Sequence, residues 1–310
     1  MQRLPVLVTG ASGFLGQNVV KNLVSRGWSC ILVSSRPPTD PEVVRLVTAK
    51  ILPFFLGDAG DAKLVASVVA GLQSKLWLVH LASRVDASRQ FTSLPQHFKD
   101  HIHLALNLMQ VLSGHLAGVC FASSLEVYGT PLYLPIDEAH PTVPFNLYGA
   151  GKLNTEHLIR VSCERLEIPA CILRLSHIYG PGEHHRKAIP VFIKACLEGS
   201  SISLQGNGDD SRDFVHTNDV SHAIALAIES SRMGIFNISG GRSVRMRELV
   251  GYIQELCSRR VEVIAVPRER PKLQYAFDLT AAKEGLGYEP TVNLMDGLLS
   301  EIRWLQNRGT

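Results

Sequence analysis

Tyr148 and Lys152 stand four residues apart in Tyr148-Gly-Ala-Gly-Lys152, a spacing that puts both side chains on one face of a helix. A phenol titrates near pH ~10 and is a poor acid or base at neutral pH. A neighbouring ammonium favours the phenolate, so such a pair can exchange a proton with a substrate hydroxyl. The same spacing also arises as an ordinary solvated pair, so its meaning depends on the surrounding elements. A second set of residues lies at the N-terminus. The apolar run Val6-Leu-Val8 leads into Gly10, Gly13 and Gly16, and Leu15, Val19, Val20, Leu23 and Val24 then share one helical face. This order of strand, glycine turn and helix predicts the first unit of a dinucleotide-binding sheet. One glycine allows the tight turn, one lets backbone N–H groups approach a pyrophosphate, and one lets the helix close on the strand.

The elements that must position these groups alternate along the chain. Cys30-Ile-Leu-Val33 reads as the second strand, with Ser34-Ser-Arg36 at its end. An acidic residue there suits the ribose 2′-OH of NAD, whereas an Arg suits the 2′-phosphate of NADP. The missing acid and the nearby Arg36 predict NADP, with NAD as the alternative; a plain solvated charge at Arg36 would carry no preference. A short strand is expected over 51–56, followed by Gly57-Asp58, then a helix over 64–72 and a fourth strand over 76–82. Further on come a helix over 101–112, a fifth strand over 119–124, a proline-rich loop over 131–144, a helix from near Tyr148 to about 166, and a sixth strand over 170–175. This pattern predicts an α/β chain with a Rossmann-type, doubly wound parallel sheet. Beyond it the alternation loosens into helices over 189–197 and 246–257, a short strand over 202–204 and a helix reaching 228, which suit a smaller C-terminal lobe.

Composition narrows the function classes. The 310 residues are 45% hydrophobic and 19% charged, enough for a sizeable core, and the net charge of +3 gives no footprint for nucleic acid or a membrane surface. Met1 to Pro5 leave no room for a signal peptide, and no apolar run reaches the ~18 residues of a membrane span. The six cysteines include no CxxC pair and read as buried thiols of a reducing cytoplasm. The twelve histidines show no metal-ligand spacing, so no metal is expected, and His184-His185 reads as a loop element.

The glycine spacing in Val6-Leu-Val-Thr-Gly-Ala-Ser-Gly-Phe-Leu-Gly16 resembles the short-chain dehydrogenase/reductase superfamily, and most of all its extended branch, which modifies nucleotide sugars. The resemblance runs on through His80-Leu-Ala-Ser83, Ser123-Ser-Leu-Glu-Val-Tyr-Gly129, Tyr148-Gly-Ala-Gly-Lys152, Arg174-Leu-Ser-His-Ile-Tyr-Gly-Pro-Gly182, Arg212-Asp-Phe-Val-His-Thr-Asn-Asp-Val220, Arg270-Pro and Leu286-Gly-Tyr-Glu-Pro290. It implies Ser124, Tyr148 and Lys152 as the catalytic group. Tyr148 would move the proton while the nicotinamide exchanges a hydride, and Lys152 would also hold the nicotinamide ribose. It implies contacts to the cofactor from Gly10, Ser12, Gly13, Phe14, Leu15, Gly16, Ser34, Arg36, Asp58, Leu81 and Ala82, besides Tyr148 and Lys152. Substrate contacts fall to Arg84, Glu126, His177, Arg212 and Arg270. The chain departs from the pattern at His101 and His177, each standing where the family has Asn, and at Leu125, where dehydratases carry an acid beside the Glu.

The implied domains are a dinucleotide-binding unit over 1–175 with about 213–235, and a nucleotide-sugar lobe over 176–212 and 236–310. An NADP-type ribose pocket and a lone Glu126 favour reduction of a nucleotide-linked 4-keto sugar. A 4-epimerase, a dehydratase and a non-catalytic NADP-binding sensor or scaffold are the alternatives. A cytoplasmic homodimer, joined through a four-helix bundle of the helices near 101–112 and 148–166, is the implied assembly.

Overall fold

The computed structural model describes residues 3–83, 96, 99–183 and 187–307. In chain order its first half comprises β1 (Val6–Thr9), α1 (Phe14–Ser25), β2 (Cys30–Ser34), α2 (Pro41–Thr48), β3 (Phe54–Leu56), α3 (Ala62–Val69) and β4 (Leu76–His80). One turn of π-helix, Lys99–His103, leads into α4 (Leu104–Leu112), followed by β5 (Leu116–Ser124), α5 (Leu147–Arg165) and β6 (Ala170–Leu175). The second half contains β7 (His177–Tyr179), α6 (Ala188–Glu198), β8 (Ile202–Gln205), β9 (Ser211–His216), α7 (Thr217–Ser230), β10 (Gly234–Ile238), β11 (Ser243–Arg245), α8 (Met246–Leu256), β12 (Val263–Val266), α9 (Thr280–Leu286) and α10 (Leu294–Gln306).

Seven parallel strands form the main sheet in the order β10-β6-β5-β4-β1-β2-β3. Strands β1, β2 and β4 are buried along their whole length, which is why they read as continuous apolar runs and not as alternation. One face of the sheet is covered by α1, α2, α7 and α9, through Val19, Leu23, Val43, Ile224 and Leu286 among others. The opposite face carries α3, α4 and α5, through Val65, Leu108 and Ile159. The sheet is therefore wound on both sides, with the order reversing between β1 and β4, where α/β sheets open a ligand crevice at the carboxyl ends of their strands. A separate core under β7, β9 and β11 joins α6, α8 and α10 through Ile193, Leu249 and Leu298.

Several boundaries shift from the expectation. The strand expected over 51–56 is confined to Phe54–Leu56, because Ile51 and Leu52 turn back onto α2 through their N–H groups to Leu46 O. The helix expected over 64–72 runs from Asp61, whose carboxylate caps it, and stops at Val69 before Gly71 at φ +87°. The helix expected from His101 begins at Leu104, behind the π turn. Strand β10 pairs with β6 through Ile238, past the boundary expected near 235.

Candidate active site

At the end of β1 the chain turns through Gly10, whose φ of +70° favours glycine. A Cβ there would stand 2.8 Å from the backbone nitrogen of Ala82, so the segments after β1 and β4 meet closely through glycine. Gly16 is tighter still: a Cβ would lie 2.2 Å from the carbonyl oxygen of Gly10, which lets α1 start flush against its own turn. Gly13 occupies the N-cap of α1, and no side chain caps it. The Ser12 hydroxyl is buried with no hydrogen-bond partner among the described residues. An uncapped helix N-terminus beside an orphaned hydroxyl fits a pyrophosphate. Leu81 and Ala82 follow the same turn, their N–H groups donating to Thr9 O (3.3 Å) and Thr9 Oγ1 (3.3 Å). Phe14 lies against Gly182, and Leu15 is partly buried beside it in the sequence.

Ser34 closes β2 and is buried, whereas Arg36 is exposed. The next acid in the chain, Asp40, accepts the N–H groups of Glu42 (3.0 Å) and Val43 (3.3 Å) and pairs with Lys21 at 2.7 Å. It is thus committed to capping α2. Asp58 is exposed and accepts the Gly60 N–H at 2.9 Å, the turn role its position allowed.

Ser124, Tyr148 and Lys152 converge. Lys152 is buried and donates from Nζ to Ala122 O at 2.7 Å, over the Phe121 ring at 4.8 Å. Burial lowers its pKa to about 7, with the Glu156 carboxylate pulling the other way. The ammonium lies 5.7 Å from the centroid of the Tyr148 ring. Burial, then the charge of Glu126, pushes the Tyr148 phenol up to about 12, while a hydrogen bond from the Ser124 side chain acts in the opposite sense. Ser123, one residue earlier, turns the other way and donates to Glu156 Oε1.

Glu126 is held from α5. Its Oε2 accepts from Asn146 Nδ2 at 2.8 Å, and Asn146 Oδ1 caps the helix by accepting the Gly149 N–H at 2.7 Å. Gly149 is needed here, because a Cβ would stand 2.4 Å from Glu126 O. Leu125 is buried among Tyr128, Ile136, Tyr275 and Phe277, so the position before Glu126 presents no acid.

Across the cleft, burial lowers the pKa of the Arg212 guanidinium, and the Arg270 charge lowers it further; the Asp210 and Glu126 carboxylates oppose both. Burial, then Arg212, Lys187 and Arg270, holds His177 well below the usual imidazole range, so its ring is neutral. Among the described residues its Nδ1 is buried with no hydrogen-bond partner, and its ring meets Tyr275 edge-on at 5.5 Å. His177, Arg212 and Arg270 therefore lie close enough for each charge to act on its neighbours. Arg84 and His184-His185 lie outside the described residues. The reading missed Asn146, Tyr275 and Lys187. Lys187 pairs with the buried Glu183 at 2.8 Å and stands 5.8 Å from the Phe14 ring centroid. Asn146 carries a legible signal, an Asn two residues before the helical Tyr; Tyr275 and Lys187 sit in no motif.

A doubly wound sheet with a glycine turn at its first crossover and a Tyr–Lys pair on a later helix defines an NAD(P)-dependent enzyme of the short-chain dehydrogenase/reductase type. More narrowly, the chain belongs to the NAD dependent epimerase/dehydratase family, whose pattern matches residues 6–239. It is 27% identical over 324 residues to UDP-glucose 4-epimerase of Azospirillum brasilense, covering 96% of this chain and 91% of that one. Among solved structures it is similar to MoeE5 in complex with UDP-glucose and NAD, at 27% identity and TM-score 0.86, covering 99% of this chain and 100% of that one. It is likewise similar to DesIV, a dTDP-glucose 4,6-dehydratase of Streptomyces venezuelae with NAD bound, at 29% identity and TM-score 0.84, covering 99% and 98%.

Proposed function

We propose that this protein is a nucleotide-sugar 4-epimerase, taking hydride from C4 of a hexose and returning it to the other face. The observation that carries this reading is the meeting of Ser124, Tyr148 and Lys152 beside a single carboxylate, Glu126, with apolar Leu125 before it. When bound, the nicotinamide accepts the hydride and gives it back. Tyr148 takes the proton of the C4 hydroxyl, Ser124 hydrogen-bonds the same oxygen, and the Lys152 charge favours the phenolate. Glu126, fixed by Asn146, accepts a hydrogen bond from a neighbouring sugar hydroxyl. Arg212 and Arg270 hold the diphosphate, with neutral His177 as a further polar contact. Gly10, Ser12, Gly13, Phe14, Leu15, Gly16, Leu81 and Ala82 hold the dinucleotide, and Asp58 lies on its adenine side. Dehydration would need an acid for the departing hydroxyl as well as a base, and Leu125 supplies neither.

Net reduction of a 4-keto sugar is the second reading. It is favoured by one feature, the NADP-type ribose pocket formed by Ser34 and Arg36 without an available acid. The test is to incubate the protein with UDP-, GDP- and dTDP-hexoses and with their 4-keto-6-deoxy forms, with and without NADPH. Interconversion of two hexoses with no net cofactor change supports the epimerase. Stoichiometric loss of NADPH with a keto sugar replaces it by the reductase, and tight NADP binding without turnover leaves a sensor or scaffold.

The same reading gives the sheet, 1–175 with about 213–238, to the dinucleotide and the remaining C-terminal residues to the sugar nucleotide. It makes the protein a homodimer through α4 and α5, which leave Leu106 and Val161 exposed; light scattering at a monomer mass would remove that assembly. No helix among the described residues is long and apolar enough to cross a membrane. A cytoplasmic location accords with six free thiols, five of them buried.

A further inference from the structure

The π turn at Lys99–His103 is the least regular piece of the sheet's helical cover, and it lies against the catalytic helix. Single π turns are rare and need a local reason. Here the turn carries His101 inward until it is 3% exposed. The imidazole meets the Tyr148 ring edge-on, with centroids 5.6 Å apart and planes at 72°. Helix α5 makes room for it with a glycine. A Cβ at Gly151 would stand 2.9 Å from the Cγ and Cδ2 atoms of His101, so no larger residue fits between Tyr148 and Lys152 without moving the ring. On the far side, His101 Nδ1 is 3.5 Å from Ser83 Oγ, in the segment that leaves β4. Among the described residues, His101 therefore sits in a slot walled by Tyr148, Gly151 and Ser83.

We propose that His101 is a positioning residue for Tyr148, and that its ring acts as a clamp. This rests on the proposed role of Tyr148 as the proton-transfer group. A phenol is attached through two rotatable bonds, and proton transfer to a sugar hydroxyl needs its oxygen held in one place. A misplacement of ~1 Å is enough to cost about 100-fold in rate. Among the described residues, three neighbours restrain the ring: Lys152 at 5.7 Å from its centroid, Ser124 at its hydroxyl, and His101 at its edge. Of these, His101 alone comes from outside β5 and α5, so it ties the phenol to the β4 side of the cleft, where the dinucleotide turn lies. The π turn is the means of reaching it.

The clamp requires a flat ring at position 101 and no charge. His101→Phe should keep kcat within about threefold of the parent. His101→Ala should lower kcat by roughly 10- to 100-fold, with KM and cofactor affinity within about twofold. Gly151→Ala should lower kcat in the parent by pushing the imidazole aside. In the His101→Ala background it should add little, because its collision partner is gone. A readout independent of substrate is the Tyr148 resonance of fluorotyrosine-labelled protein, assigned by its loss in Tyr148→Phe. Slow ring flipping, seen as two signals, is expected in the parent and in His101→Phe, and one averaged signal in His101→Ala. Equal kcat for parent and His101→Ala, or equal losses for the Phe and Ala variants, would overturn the clamp, as would identical Tyr148 signals in all three. Tyr148→Phe serves as the control in the same assay. If that variant remains active, the proposed function fails; if it is dead while His101→Ala is as active as the parent, only the clamp fails.

Discussion

Two buried cations flank the end of β5, and they are treated oppositely. Arg174 forks onto Glu156, with Nε at 3.1 Å from Oε1 and Nη2 at 2.8 Å from Oε2, and lies over the Tyr128 ring at 4.8 Å. Ser123 donates to the same carboxylate, and the Arg174 pKa is raised. One turn before Glu156 on α5, Lys152 is just as dry but makes its one described hydrogen bond to a neutral carbonyl, and its pKa falls to about 7. Ser123 serves the first carboxylate, whereas Ser124, at the end of the strand, meets Tyr148. A buried charge that is fully paired is fixed in one protonation state, whereas one hydrogen-bonded to a neutral carbonyl, with a carboxylate acting on it only as a nearby charge, is close to changing state. The first is scaffold, and the second is what an acid–base site requires.

The contrast breaks first at Glu156. Glu156→Gln should destabilise the fold by about 3–5 kcal/mol in urea unfolding, because it strands a buried guanidinium. A loss below about 1 kcal/mol would mean that Arg174 finds water or another partner. Next in size, Arg212→Ala should weaken nucleotide-sugar binding by about 2–5 kcal/mol while leaving the dinucleotide alone. Equal losses for both ligands by calorimetry would make Arg212 a structural residue. On the site side, Tyr148→Phe should fold and bind cofactor yet lose turnover by about 100-fold or more. Glu126→Gln should cost far less, and a loss as large as that of Tyr148→Phe would revive dehydration.

The pH dependence of stability sharpens the same comparison. Lys152, with its folded pKa depressed, burdens the fold below about pH 7 and ceases to do so as pH rises from there towards its unfolded value. Glu301 on α10 has the opposite sign. Burial, then the Glu183 charge, raises its carboxyl to about 9, so its neutral form supports the fold at low pH and that support is lost as pH rises towards 9. Lys152→Met should therefore flatten the rise in stability above about pH 7, and Glu301→Gln should flatten the fall, each followed by urea midpoints across that range. Unchanged slopes would show that these groups titrate normally. The smallest expected effect is at the surface. Arg36→Ala should lower NADP affinity by about two- to fivefold and leave NAD affinity nearly unchanged, the scale of one exposed charge pair. Tighter binding of NAD than NADP by the parent protein would dispose of the preference altogether.

Much of this was written locally in the chain. The buried parallel strands are legible because both faces of such a strand are apolar, so Val6-Leu-Val8 and Cys30-Ile-Leu-Val33 carry their burial in plain sequence. The glycine turn and the Tyr148–Lys152 pair are legible because backbone geometry ties spacing to direction over a few residues. What the sequence left undetermined depends on distant contacts. Leu125 and Glu126 look alike as a mutated acid pair, but whether Glu126 is fixed depends on Asn146, twenty residues on, reaching back from the cap of α5. His101 reads as a lost Asn until the π turn and Gly151 place its ring against Tyr148. The protonation states of Lys152, His177 and Glu301 follow from burial and from charges supplied by other elements, and no local pattern encodes either. Spacing along a helix or strand is set by covalent geometry and so belongs to the sequence; desolvation and long-range pairing arise only when the chain is packed.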